Sequence, residues 1–261
     1  GKPADFAHRY DVAAADDEWP NVDHPVGEPV DIHEGFLDVT VLHLLSHRAG
    51  LPANLPLAAY LGDDAPALRR RAVAKELAKA PQSAPGTTFT YSNLGYLILA
   101  AMIERRTGES WQQNVTELVF EPLEMPSVGF GGMGTPGQID QPWPHGADGK
   151  PIPGNGPAVD NPPVMGPAGR VHCTIQDWAK YVADFLAGLN GKPALLDQAS
   201  YETLIMPPFD GDYALGWVVT SRPWAGGTAL VHNGSNTMNF ATVWLAPKRD
   251  FAVLTCTNQA G

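Results

Sequence analysis

Apolar positions along the 261 residues follow two rhythms. From Thr40 to about residue 128, and again from 175 to 205, they recur at helical spacing. Thr40 is placed to cap a helix over 41–47 that Gly50 and Pro52 stop. A second amphipathic helix fits 66–80 and ends before Pro81. Residues 94–106 are apolar on nearly every face, which predicts a helix buried in the middle of its lobe. Ser110 and Gln113 have capping-box spacing, so another helix starts at Trp111. Thr174 and Asp177 open a helix over 175–187 with Gly188 just past its end, and a short helix fits 198–205. After Pro207 and Pro208 the texture becomes strand: 213–221, 228–233, 239–246 and 250–257 are rich in β-branched and aromatic residues. Turn-like links at 225–227 and 247–250 are too short for crossovers, so these strands form an antiparallel meander.

The expected fold is therefore α+β, a helical lobe packed beside an antiparallel sheet. An acidic arm or partial lobe spans 1–39, the helical lobe 40–205, and the sheet 206–261. Residues 129–169 hold eleven Gly and nine Pro, a density that predicts a long loop without regular elements. Such a loop is either a functional wall or an ordered surface insertion.

Composition narrows the partners. The formal charge of -11 is concentrated in residues 1–40, where ten Asp and Glu face two Lys and Arg, a pattern of a solvated arm. Nucleic acid and anionic membrane are disfavoured as partners. No apolar run approaches the ~20 residues needed to span a bilayer, so a soluble globular protein is expected, and the first residues lack a secretory-signal pattern. Cys173 and Cys256 lack zinc-site spacing; buried free thiols are the default expectation, with one disulfide between them the alternative. His43 and His47 stand four apart on one predicted helix, but no Glu follows His43 and no third ligand is evident, so surface or capping contacts are expected. His8, His24 and His33 in the acidic arm are read as solvated. No metal or other cofactor is called for.

Three groups of residues carry candidate chemistry. Leu44-Leu45-Ser46-His47-Arg48-Ala49-Gly50-Leu51-Pro52 precedes Tyr91-Ser92-Asn93, and His232-Asn233-Gly234 sits far downstream between strand-like runs. Around them lie Pro85-Gly86-Thr87-Thr88-Phe89-Thr90, Phe120-Glu121-Pro122-Leu123-Glu124-Met125, Gly166-Pro167-Ala168-Gly169 leading to Thr174 and Asp177-Trp178, Leu215-Gly216-Trp217, and Leu254-Thr255-Cys256-Thr257-Asn258. In order and spacing across about 40–258 the chain resembles the penicillin-recognising serine hydrolases, which include class C β-lactamases, D-alanyl-D-alanine peptidases and related esterases. The resemblance implies a β-lactamase/transpeptidase-like fold and hydrolysis of an ester, amide or β-lactam through an acyl-serine. It implies Tyr91 as general acid/base, Asn93 as the substrate-orienting amide, His232 and Gly234 on the facing wall, and the Ser235 backbone N–H as one oxyanion donor. The 129–169 loop would stand on the rim. Where relatives carry Gly, this chain has Glu124 and Arg170, and Arg170 would narrow the cleft or add charge to it. His232 replaces a lysine; an ordinary histidine is mostly neutral at pH 7, which leans towards neutral esters or amides.

One part is missing. No Ser-x-x-Lys occurs anywhere in the sequence, and residues 1–39 contain Lys2 and no serine. Ser46, Ser92 and Ser235 lack the required basic partner and are not nominated as nucleophile. Both ends look incomplete against the resemblance, so the nucleophile is expected in a portion absent from the sequence or on a separate polypeptide segment. The competing expectation is a non-catalytic relative that keeps the cleft for ligand binding.

Overall fold

The computed structural model describes residues 32–135, 137–153 and 159–260. Most of the acidic arm, with His8 and His24, therefore lies outside the described residues.

The first half builds helices around α3 (Asn93–Thr107), whose Ser92 cap accepts from Gly95 N–H and whose end is turned by Gly108 at φ 76°. Leu94, Leu97, Ile98 and Ala100 are buried. They pack against α1 (Val41–Leu45) and α2 (Ala65–Leu77), bringing Phe36, Leu44, Leu68, Ala72 and Leu77 into one core. A Cβ on Gly95 would stand 3.1 Å from the Leu44 carbonyl oxygen, so glycine lets α1 and α3 approach closely. Ser110 caps α4 (Trp111–Val115) as expected, accepting from Gln113 N–H.

At the centre of this lobe Arg69, fully buried, pairs with Glu104. Its Nε reaches Glu104 Oε2 at 3.1 Å, and its fork extends to Gln112 and the carbonyls of Pro163 and Val164. The Glu104 carboxylate also accepts from Trp111 N–H at 2.8 Å. Desolvating two charges is tolerable only when their remaining hydrogen-bonding capacity is filled, and here it is.

The second half is a four-stranded antiparallel meander in the order β3 (Val218–Arg222), β4 (Gly227–Ser235), β5 (Phe240–Ala246), β6 (Phe251–Thr257). Left-handed Gly226 and Asp250 close the two short links. One face is covered by α6 (Ile175–Leu189) and α7 (Gln198–Leu204), burying Val182, Phe185, Leu186 and Tyr201 against Trp217, Leu230, Val243 and Leu245.

Four expectations need correction. Strand structure begins at Val218, not 213, because residues 213–217 fold into a tight corner closed by Ala214 N–H to Trp217 O and Val219 N–H to Asp212 O, each 2.7 Å. Gly188 lies inside α6, where a Cβ would fall 2.1 Å from the Tyr201 ring; it serves a close approach, and Gly191 at φ 68° supplies the turn after the helix. The 129–169 stretch is not free of regular elements. Gly129–Phe130 (β1) pairs with Val171–His172 (β2), and Pro163–Met165 runs into the short helix α5 (Gly166–Gly169). Finally, the cysteines are free but not buried: Cys173 is half-buried and Cys256 exposed. Cys256 lies near the end of the outermost strand, where its neighbours are exposed as well.

Two departures from the resembled pattern have visible consequences. Glu124 adopts φ 53°, a left-handed conformation that glycine takes without steric cost. Arg170 brings no free charge; its side chain is largely buried, with Nε 3.7 Å from Asp160 and the guanidinium against Gly131.

Candidate functional site

The corner holding Tyr91-Ser92-Asn93 is fixed from both sides. Thr90 N–H donates to His47 O and Asn93 N–H to Ala53 O, each 2.9 Å. The Ser92 hydroxyl donates to Pro52 O at 2.7 Å. Asn93 is thus the first residue of α3, and its Nδ2 donates to Asn54 Oδ1 at 2.8 Å, which leaves its own carbonyl oxygen to accept. Tyr91 is 43% exposed, so its phenol borders solvent on one side. On the other side it lies against the His47 ring, centroids 4.1 Å apart. Partial burial raises the Tyr91 hydroxyl above its usual range.

His47 is the residue that sequence reasoning placed wrongly. Surface or capping contacts describe His43, whose Nδ1 closes the capping box with Thr40. His47 instead is 2% exposed and surrounded by Phe89, Tyr91, Tyr96 and Tyr213. Flanked by Ser46 and Arg48, it carries no local sign of burial, and nothing nearby revealed that Tyr213, 166 residues away, would meet it. Ser92 N–H donates to His47 Nδ1 at 3.0 Å, so Nε2 carries the hydrogen and donates to the Tyr213 oxygen at 3.0 Å. Burial pushes this imidazole down to about 4, helped by the nearby His232 and opposed by the Ser92 bond. Among the described residues no three His, Cys, Asp or Glu side chains gather as a metal site.

The remaining candidate residues lie on β4. His232 pairs in register with Val243 and Leu254, hence it projects on the face that carries Leu245 and Val243 and is covered by the helices. Its Nδ1 lies 2.6 Å from Gly216 O. A carbonyl only accepts, so Nδ1 bears the hydrogen and Nε2 is the nitrogen left with a lone pair. Gly216, at φ 98°, sits in the corner that also carries Tyr213. Tyr91 and Tyr213 thus both touch His47, and His232 is bonded to Gly216, three positions along the chain from Tyr213.

Gly234 and Ser235 follow along the strand, about 7 and 10 Å beyond His232 at a typical strand rise. Both are exposed. No atom lies within 4 Å of where a Gly234 Cβ would stand, so the space beside it is open. The Ser235 hydroxyl accepts from Thr237 N–H at 3.0 Å. Beyond it, Asn236 Nδ2 donates to Asp160 Oδ1 at 3.1 Å, and His145 N–H donates to Asn258 O at 2.8 Å. Ser235, Phe240 and Thr257 are in register, so both bonds fasten the long loop to the sheet end that carries Ser235.

The Beta-lactamase family profile matches residues 14–261. The chain belongs to the beta-lactamase family. Among curated relatives it is 27% identical over 237 residues to Unguisins hydrolase ungD' of Aspergillus campestris, an alignment covering 85% of the chain and 42% of that protein. Protein flp of Staphylococcus aureus is 24% identical over 230 residues, 84% and 43% of the two lengths. The chain therefore spans less than half the length of these relatives. Among solved structures, the octameric penicillin-binding protein homologue from Pyrococcus abyssi superposes with a TM-score of 0.68 at 20% identity, covering 89% of this chain and 54% of that one. The D-stereospecific amidohydrolase from Streptomyces sp. gives 0.66 at 19% identity, covering 88% and 71%. These likenesses establish a β-lactamase/transpeptidase-like fold of α+β class, and the family's members include hydrolases. No helix among the described residues is long and apolar enough to cross a membrane.

Proposed function

We propose that this beta-lactamase family chain forms most of the cleft of a serine hydrolase acting on small-molecule esters, amides or β-lactams through an acyl-serine. In this reading Tyr91 is the general acid/base, Asn93 offers its carbonyl oxygen to a substrate N–H, and His232, Gly234 and the Ser235 N–H line the facing wall. The observation that carries it is the series from Tyr91 through His47 and Tyr213 to the 213–217 corner, whose Gly216 carbonyl is bonded to His232. The open space at Gly234 supports an approach for substrate along β4.

The nucleophile is supplied by polypeptide outside the 261 residues, since no Ser-x-x-Lys lies within them. Chemistry agrees with this division. A phenol raised by burial is a poor base at neutral pH, and only a cation brought beside it makes it competent. The lysine of a supplied Ser-x-x-Lys would be that cation. His232, with its lone pair at Nε2, suits a donor group on a neutral substrate better than a carboxylate.

The test is active-site labelling. The purified chain, alone and together with any polypeptide that co-purifies, is treated with a tagged fluorophosphonate and a tagged penicillin. Covalent label on a co-purifying segment supports the proposal. Complete absence of label in the reconstituted mixture, with reversible penicillin binding retained, would replace it with the ligand-binding reading.

A further inference from the structure

We infer that His47 is a positioning residue of this cleft: through Tyr213 it couples the Tyr91-Ser92-Asn93 corner to the 213–217 corner, whose Gly216 carbonyl is bonded to His232. The inference rests on the reading of the cleft given above.

The hydrogen bonds around His47 run in one direction only. Ser92 N–H can only donate, so it fixes the lone pair at Nδ1, and the Nε2 hydrogen then goes to Tyr213. Tyr96, whose ring lies 5.4 Å from that of His47, borders the same group. Tyr96 donates to Leu45 O, 3.1 Å away, a group that can only accept. His47 therefore has one permitted orientation, because reversing its ring would set two donors face to face at Ser92 N–H. His47 also sits at φ 60°, a conformation unfavourable for a side-chain-bearing residue. Strain of this kind persists where surrounding contacts hold it in place.

From Tyr213 the coupling continues through covalent structure. Only Ala214 and Leu215 separate it from Gly216, inside a corner closed by two backbone hydrogen bonds of 2.7 Å. Gly216 O is the partner of His232 Nδ1. Where Tyr213 stands decides where Gly216 O stands, and that oxygen decides which nitrogen of His232 is left with its lone pair. His47 thus acts on the cleft through other groups and need not touch the substrate.

Two variants cut the same bond from opposite ends. Tyr213→Phe removes one hydroxyl and keeps the ring. His47→Asn keeps an acceptor near Ser92 N–H and tolerates positive φ, but is too short to reach Tyr213. Long-range proton–nitrogen spectra of the histidine-labelled full chain report the imidazole tautomers, and D-phenylalanine amide serves as the ligand probe. The expected result is a three- to tenfold fall, on the order of one net hydrogen bond, in the Nδ1–H to Nε2–H tautomer ratio of His232 in each single variant. The double variant should change it no further, because both substitutions remove one interaction. Affinity for the amide should fall with it. His232 signals that coincide with wild type in both folded variants would overturn the inference, as would additive single effects or unfolding of both. If the amide binds no form of the chain while His232 responds as stated, the reading of the cleft falls and the coupling stands.

Discussion

Acid should destabilise this protein through His47. The folded imidazole is pushed from 6.5 down to about 4 because it is buried and lies near His232. In the unfolded chain it regains its ordinary value. Between these two pH values the unfolded state binds a proton that the folded state refuses. The neutral imidazole therefore contributes stability that is fully present above about pH 6.5, declines as pH falls, and is gone below about pH 4. At ~1.4 kcal/mol for each pH unit, the interval corresponds to about 3 kcal/mol. The groups facing His47 are His232, Tyr91, Tyr96 and Tyr213; the phenols are uncharged throughout this window, their hydroxyls raised by burial. Urea unfolding followed by tryptophan fluorescence from pH 8 to 4, on wild type and His47→Asn, isolates the contribution. The wild type should lose about 3 kcal/mol more than the variant over that range. Parallel pH dependences for the two proteins would refute the reasoning, because they would mean that His47 titrates alike in both states.

Further outcomes follow from single contacts. Glu104→Gln should cost ~3–5 kcal/mol in urea unfolding, since it leaves Arg69 charged and buried, whereas the double replacement Arg69→Met with Glu104→Leu should recover most of that loss. Glu124→Gly should raise stability by about 0.5–1 kcal/mol, read as a higher melting temperature, by relieving the left-handed backbone; an unchanged or lower value would contradict the strain argument. Gly188→Ala should destabilise by ~1–3 kcal/mol because its methyl group meets the Tyr201 ring, and a neutral result would show that α7 moves freely. With iodoacetamide at neutral pH, exposed Cys256 should be alkylated before Cys173, whose thiol is raised first by burial and then by Asp177; peptide mass mapping reads the order.

Much of the architecture was written locally. Thr40, Ser92, Ser110 and Thr174 sit at helix caps because a short hydroxyl can satisfy an otherwise unpaired N–H, and that is visible in any window of a few residues. The meander could be read because its links are too short for anything but antiparallel return. What escaped was set by distant partners. Gly188 resembles a helix stop until Tyr201 is placed against it. Residues 213–217 have strand composition, but pairing Gly216 O with His232 requires a corner. Residues 163–169 gain helical turns where the Pro163 and Val164 carbonyls meet Arg69 from another helix. The candidate site divides the same way. Tyr91, Asn93, His232, Gly234 and Ser235 were named from motifs, whereas His47 and Tyr213, which meet across 166 residues of chain, carry no mark of that in their own neighbourhoods.

In the proposed cleft both walls serve one ligand. A nuclear magnetic resonance titration of the full chain with D-phenylalanine amide, following the Asn93 side-chain amide and the His232 imidazole together, tests this most directly. Saturable shifts of both signals with a single dissociation constant are predicted. A response confined to one wall, or none at either, would contradict it.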